Sequence, residues 1–408
     1  MTSLDLAFVR NQFTAFQDPA QRRLAFMENA GGSLPCRYTI WRLNRFYHER
    51  KVQPYGVGAP SLRAGEEMDA ARYRLAAHLG VARDEIHFGP STSANTYVLA
   101  QAVRQWLKPG AAIIVTNQDH EANTGVWRRL ADGGVEIREW QVDPETGALH
   151  PERLEVLLDD KVRLVCFPHC SNILGHVNDV GALCSRIRAA GAVSCVDGVS
   201  FAPHGLPNIG KLGADIYLFS AYKTFGPHQG IMTLRRDLAR VLPHQGHDFN
   251  AGNLLCRFTP AGPDHAQVAA CAALADYVDA LYEHHYRAGR DPVGRSAKVA
   301  ELCRAHEIAL VEPLLEFLRS RGLRILGPDR PGWNRVPTVS LQVPEPGVSL
   351  AERLAKHGIL TGGGNFYAPR LLSAMGVDPA EGVLRISLVH YNSPLEVDRL
   401  IRALDCEL

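Results

Sequence analysis

The chain has 408 residues, 46% of them hydrophobic and 21% charged, with 44 Lys+Arg against 43 Asp+Glu and a formal net charge of +1. That balance excludes a disordered chain and one drawn electrostatically to nucleic acid or an anionic membrane. At this length two domains are expected rather than one core.

The first residues, Met1-Thr-Ser-Leu-Asp-Leu6, lack the basic and long apolar regions of a signal peptide. No apolar run approaches a membrane span, so a cytoplasmic protein without membrane partners is expected. From about residue 67 to 235 short apolar runs alternate with amphipathic stretches. Ala111–Val115, Val162–Phe167, Ala192–Val196, Asp215–Phe219 and Gly230–Leu234 read as buried strands. Residues 124–130, 151–158 and 182–190 between them read as helices, a pattern that predicts an α/β fold on a largely parallel sheet. A loop rich in His, Gly and Pro follows at 243–265, then a helix over 266–286. Beyond it, helices near 293–321 and 349–357, strands at 338–343 and 384–388, a Gly-rich loop at 362–364 and a helix from Pro394 predict a smaller α+β unit. The expected division is 1–25, an N-terminal segment packing with the small domain; 26–290, the large domain; and 291–408, the small one.

The nine cysteines are scattered and include no CxxC pair. They read as reduced thiols rather than a metal or disulfide framework. No GxGxxG follows an early strand, which sets a dinucleotide fold aside.

Chemistry concentrates at strand ends. Asp215-Ile-Tyr-Leu-Phe-Ser-Ala-Tyr-Lys-Thr-Phe-Gly-Pro227 runs from a buried strand into Ser220 and Lys223. A lysine against apolar walls loses its proton more readily, which suits a nucleophilic amine, although a snorkelling surface lysine fits the same residue type. Asp197 ends the preceding strand, where it either caps a turn or faces a cationic ring nitrogen. Ser91-Thr-Ser93 precedes a helix expected to begin near Ala94-Asn95, a setting for a phosphate or for a plain N-cap. Arg385 lies on an otherwise apolar strand, where an anion partner is needed. His120 is one of 17 histidines and carries no signal of its own.

Taken together these segments resemble the class V aminotransferase family of fold-type I pyridoxal 5'-phosphate (PLP) enzymes, in its cysteine desulfurase-like branch. Glu28-Asn-Ala-Gly-Gly32 resembles that branch's "DNAA" stretch, and Phe88-Gly-Pro-Ser-Thr-Ser-Ala-Asn95 its phosphate-binding turn. Asp119-His-Glu-Ala-Asn123 resembles its ring-stacking histidine motif, His169-Cys-Ser-Asn-Ile-Leu-Gly175 its "HxSNxLG", and Leu384-Arg-Ile-Ser-Leu-Val-His-Tyr-Asn392 its "RxSxxxYN".

The resemblance implies a large domain on a mainly parallel seven-stranded-type sheet and a homodimer. It gives Lys223 to the cofactor aldehyde and to proton transfer, with His120 stacking on the ring and assisting. Thr92, Ser93 and Ser220 go to the phosphate, Asn172 to the phenolic oxygen and Asp197 to the ring nitrogen. Ser200 stands where the family has Gln. Arg385 and Asn29 go to the substrate, with Arg385 on its α-carboxylate.

Departures are as informative as matches. The loop that bears the branch's nucleophilic cysteine reads Thr361-Gly-Gly-Gly-Asn-Phe-Tyr-Ala-Pro369, and no cysteine lies between Cys303 and Cys406. Tyr222 replaces a frequent histidine. Ala261-Gly-Pro-Asp-His265 replaces a "GTPN" phosphate contact, leaving His265 or Thr259 as substitutes. The expected function is action on a small α-amino acid through an external aldimine, most simply a β-elimination of C–S lyase type without a protein persulfide. Transamination, epimerisation and a non-catalytic PLP-binding role remain the alternatives.

Overall fold

The computed structural model describes residues 2–287 and 289–408. Its thirteen strands are β1 (Ala25–Phe26), β2 (Ile86–Gly89), β3 (Ala112–Thr116), β4 (Glu136–Trp140), β5 (Val162–Pro168), β6 (Val193–Asp197), β7 (Ile216–Ser220), β8 (Gly230–Leu234), β9 (Arg324–Leu326), β10 (Thr338–Gln342), β11 (Ile359–Leu360), β12 (Gly362–Gly364) and β13 (Val383–Ser387). Seven of them form the central sheet in the order β2-β8-β7-β6-β5-β3-β4. Only β8 runs against its neighbours. The five strands β7, β6, β5, β3 and β4 are therefore mutually parallel, and their carboxyl ends share one edge, the edge where such sheets bind ligands. Strands β2, β3, β7 and β8 are buried along their whole length because helices cover both faces.

The second sheet, β12-β13-β10-β9, is antiparallel and is covered by the helices Pro292–Ser320, Gly347–Lys356 and Pro394–Glu407. Its core is Leu310, Leu314, Leu318, Val339, Leu341, Leu384, Ile386 and Leu400, joined by Ala25 and Met27 from the N-terminal segment.

Several expectations need correction. The Gly-rich segment 362–364 is a strand, paired with Arg385, Leu384 and Val383 of β13. It has no side-chain pattern to announce it, and the neighbouring backbone forbids side chains: a Cβ on Gly363 would come within 2.3 Å of Val348. The helix expected over 266–286 is two, His265–Ala270 and Ala273–His285, because the amide of Cys271 divides between the carbonyls of Gln267 and Val268. Residues 2–25 touch both parts of the molecule. Arg10 pairs with Glu396, while Phe13 packs edge-on against Phe225, Tyr277 and Tyr391.

The helix Pro292–Ser320 likewise belongs to both. Val299 and Cys303 sit in the core under the large sheet, whereas Leu310 to Leu318 sit in the small one.

Candidate functional site

Four carboxyl ends of parallel strands supply the site. After β3 come Gln118 and His120, after β5 Cys170, Ser171 and Asn172; β6 ends in Asp197 and β7 in Ser220. All of these, with Ser91, Thr92, Ser93, Ser200, Tyr222, Lys223 and His228, line one cavity. The expected residues Thr92, Ser93, His120, Asn172, Asp197, Ser200, Ser220 and Lys223 thus converge from positions spread over 132 residues of sequence.

The helix after β2 starts at Thr92, two residues earlier than expected. Ser91 is its N-cap and accepts the amide of Ala94 at 3.1 Å. Thr92 and Ser93 therefore occupy the first turn of a 15-residue helix, where amide dipoles favour an anion and no acidic side chain opposes one. The Thr92 and Ser220 hydroxyls lie 2.8 Å apart. Strand β8 closes on this turn at Gly230, where a Cβ would sit 2.7 Å from the Thr92 nitrogen.

Electrostatically the cavity is tuned by burial. Lys223 is pulled down to about 8, first by desolvation and next by the positive charge of Arg385, against the pull of Asp197 and Glu28. Asp197 is pushed up to about 6 by burial, against its hydrogen bond from the Val199 amide and the charge of Lys223. A buried carboxylate with one 2.8 Å backbone donor is poised for a cationic N–H partner. His120 is pulled down to about 4 by burial and by Lys223 and Arg385, so the ring is neutral at pH 7. Its Nδ1 accepts the amide of Ala122 at 3.1 Å, which leaves the proton on Nε2.

Residues 361–369 pack against the cavity-lining Asn172 and His120. Asn172 donates from Nδ2 to the carbonyl of Phe366 at 2.9 Å, and the Glu121 amide donates to that of Tyr367 at 2.7 Å. The Asn172 Oδ1 is buried without a partner. Phe366 and Tyr367 both have left-handed backbones, at φ 50° and 59°. The Phe366 ring lies 3.7 Å from the Arg385 guanidinium, and the Tyr367 ring 5.3 Å from that of His120.

Arg385 is buried, donating to the Asn172 carbonyl at 3.2 Å and to Glu28 at 2.6 Å. Asn29 lines a second, smaller cavity that shares Ser200 and Lys223 with the first. Its amide donates to the carbonyls of Ser387 and Phe26 and accepts the hydroxyl of Tyr391, so it ties the N-terminal segment to β13. Thr259 and His265 line other cavities in this chain and not the one around Lys223.

Glu28, Tyr222, His228 and Phe366 were not identified in sequence as site residues. The stacking of Tyr222 on His228, at 4.8 Å, had a signal only in their spacing across the Gly-Pro turn. The thiol of Cys170, the one cysteine on the cavity wall, is pushed up to about 12 by burial. Among the described residues no cluster of three or more His, Cys, Asp or Glu is arranged to hold a metal, and no helix is long and apolar enough to cross a membrane.

The family model "Aminotransferase class-V" matches residues 25–252. The chain is 33% identical over 421 residues to the aminotransferase-like protein FGM3 of Gibberella zeae, covering all of this chain and 99% of that protein. It is 28% identical to a cysteine desulfurase of Pectobacterium atrosepticum, over 93% of this chain and 92% of that one. The fold is similar to the apo cysteine desulfurase of Thermococcus onnurineus, with a TM-score of 0.85 at 24% identity over 99% of this chain and 98% of the other.

Proposed function

We propose, for a chain that belongs to the class-V aminotransferase family and uses PLP as its cofactor, a β-elimination of small α-amino acids bearing a leaving group on Cβ. The residues present fit the cofactor. The hydroxyls of Thr92 and Ser220 at a helix N-terminus suit its phosphate, and Asp197 has burial but no cationic hydrogen-bond partner, as a carboxylate facing a protonated ring nitrogen requires. Lys223 has an amine that is partly neutral at pH 7–8 and faces the same space. Bound there, PLP supplies an electron sink for a substrate Cα.

The rest falls to this chain's own side chains. Lys223 Nζ takes the proton from Cα, aided by a basicity tuned close to neutrality. His120, neutral and carrying its proton on Nε2, donates toward the departing Cβ substituent. Ser200 and Ser93 complete the polar lining. In product terms, the Cα–H and Cβ–X bonds break, X leaves with its electron pair, and hydrolysis gives a keto acid and ammonia.

The observation that carries elimination is the missing thiol. The 361–369 loop contains Asn365, Phe366 and Tyr367 but no cysteine, and Cys406 lies exposed in the C-terminal helix. Without a sulfur acceptor, elimination is the branch of this chemistry that needs no second nucleophile. Nine free thiols suit a reducing, cytoplasmic setting, and a homodimer accords with the family.

The test is a panel of β-substituted L-amino acids, read by cofactor spectrum and by product. Pyruvate and ammonia without protein-bound persulfide are expected. Turnover that requires an added keto acid, or that only inverts Cα, would replace elimination with transamination or epimerisation.

A further inference from the structure

Arg385 is 3% exposed, and its charge is already answered inside the protein. Nη2 donates to Glu28 Oε1 at 2.6 Å and Nη1 to the Asn172 carbonyl at 3.2 Å, while Nε has no partner. The Phe366 ring covers one face of the guanidinium, which leaves the edge as the place for in-plane hydrogen bonds. That edge is where Glu28 sits.

The position of Glu28 is built rather than incidental. A Cβ on Gly362 would lie 2.5–2.7 Å from its carboxylate atoms, and one on Gly31 2.9 Å from Oε1. Glycine at both places leaves the carboxylate room to sit where it does. The "DNAA" stretch that residues 28–31 resemble has a shorter acid at the first position and an alanine at the fourth. Here the acid is one methylene longer and the alanine is gone, two changes that compensate sterically. The second oxygen, Oε2, is buried without a partner and so has no donor that a second anion would leave intact.

We propose that Glu28 is a specificity-determining residue that competes with the substrate for Arg385. It biases the site against a free α-carboxylate and toward amino compounds whose carboxyl carbon bears no charge, such as amides, esters or thioesters. The inference rests on the PLP-dependent reading above and shifts its substrate class from free α-amino acids to their carboxyl derivatives, whose elimination gives ammonia and the keto amide, ester or thioester in place of the keto acid. A substrate carboxylate brought to the Arg385 edge meets the like charge of Glu28, which costs affinity. A neutral carbonyl meets no such repulsion.

The test compares L-alanine with L-alaninamide as probes. Dissociation constants are read from the visible spectrum of the PLP-loaded protein, in wild type, Glu28→Gln and Glu28→Ala. Glutamine keeps the hydrogen bond to Arg385 and removes only the charge, so it guards against a variant that fails to fold. Wild type is expected to bind the amide more tightly than the acid. In both variants the preference for amide over acid should fall by about tenfold or more, mainly through tighter binding of alanine. An unchanged or larger preference, weaker binding of both probes, or no response to either would overturn the proposal. A wild-type protein that takes up no PLP would remove the proposed function along with it. An unchanged preference in a PLP-loaded protein would remove the Glu28 competition alone.

Discussion

The cavity wall formed by the large sheet and the segment 361–369 that packs against it hold their side chains in different ways. On the sheet side, Asp197 and Ser220 end strands paired on both sides, so their positions follow from registers such as Pro168 against Asp197 and Ser220 against Gly230. On the loop side, a three-glycine strand and two left-handed residues hang from carbonyls gripped by Asn172 and Glu121. Each left-handed non-glycine residue costs about 1–3 kcal/mol unless its surroundings hold it. The sheet side is therefore fixed by strand pairing, and the loop side by a few tertiary contacts.

Three further measurements bear on that division. The largest effect is expected at the sheet side. Lys223→Ala should abolish borohydride-trapped cofactor, seen by mass spectrometry, and lower turnover by roughly 10³-fold. It should not lower the thermal midpoint of the cofactor-free protein, because a buried amine that resists its charge is removed. A large loss of stability would mean that the sheet side is structural as well as chemical.

Arg385→Met should show the reverse pattern in the cofactor-free protein. It strands the Glu28 carboxylate, and a loss of about 3 kcal/mol in denaturant unfolding is expected, most of it recovered in the double variant with Glu28→Gln. Additive losses would show that the two groups are not paired.

The smallest effect is a titration. Lys223 must be neutral to attack the cofactor aldehyde, and its pKa of about 8 lies below the usual lysine value. The attachment rate should therefore rise with pH and level off above a midpoint near 8. Removing the positive charge of Arg385, the second cause of that lowering, should move the midpoint to higher pH. A midpoint unmoved in Arg385→Met would separate the two sides electrostatically.

The sequence made one side far more legible than the other. Apolar runs that stop at a charged or hydroxylated residue mark Asp197 and Ser220 directly, and β8 is found at its observed limits. Strand β4 was missed because Glu136 and Arg138 face outward at the sheet edge and break the apolar run. Strand β12 was missed because glycines have no periodicity. The pairing of Glu28 with Arg385 spans 357 residues and leaves no local trace. The hydrogen bonds of Asn29 to Ser387 and Tyr391, 358 and 362 residues away, leave none either.

The helix Pro292–Ser320 also has a mechanical side. At 29 residues it is a rod roughly 43 Å long, one end clamped under each core. Its first half is pinned by Ser296 to His78 and by Glu307 to His204, and its second by Leu310 to Leu318. A rod clamped twice does not act as a free hinge. Pro313 lacks the amide that would bond the Ala309 carbonyl, so any bend of the rod falls in the turn 309–313, just beyond the Glu307 contact.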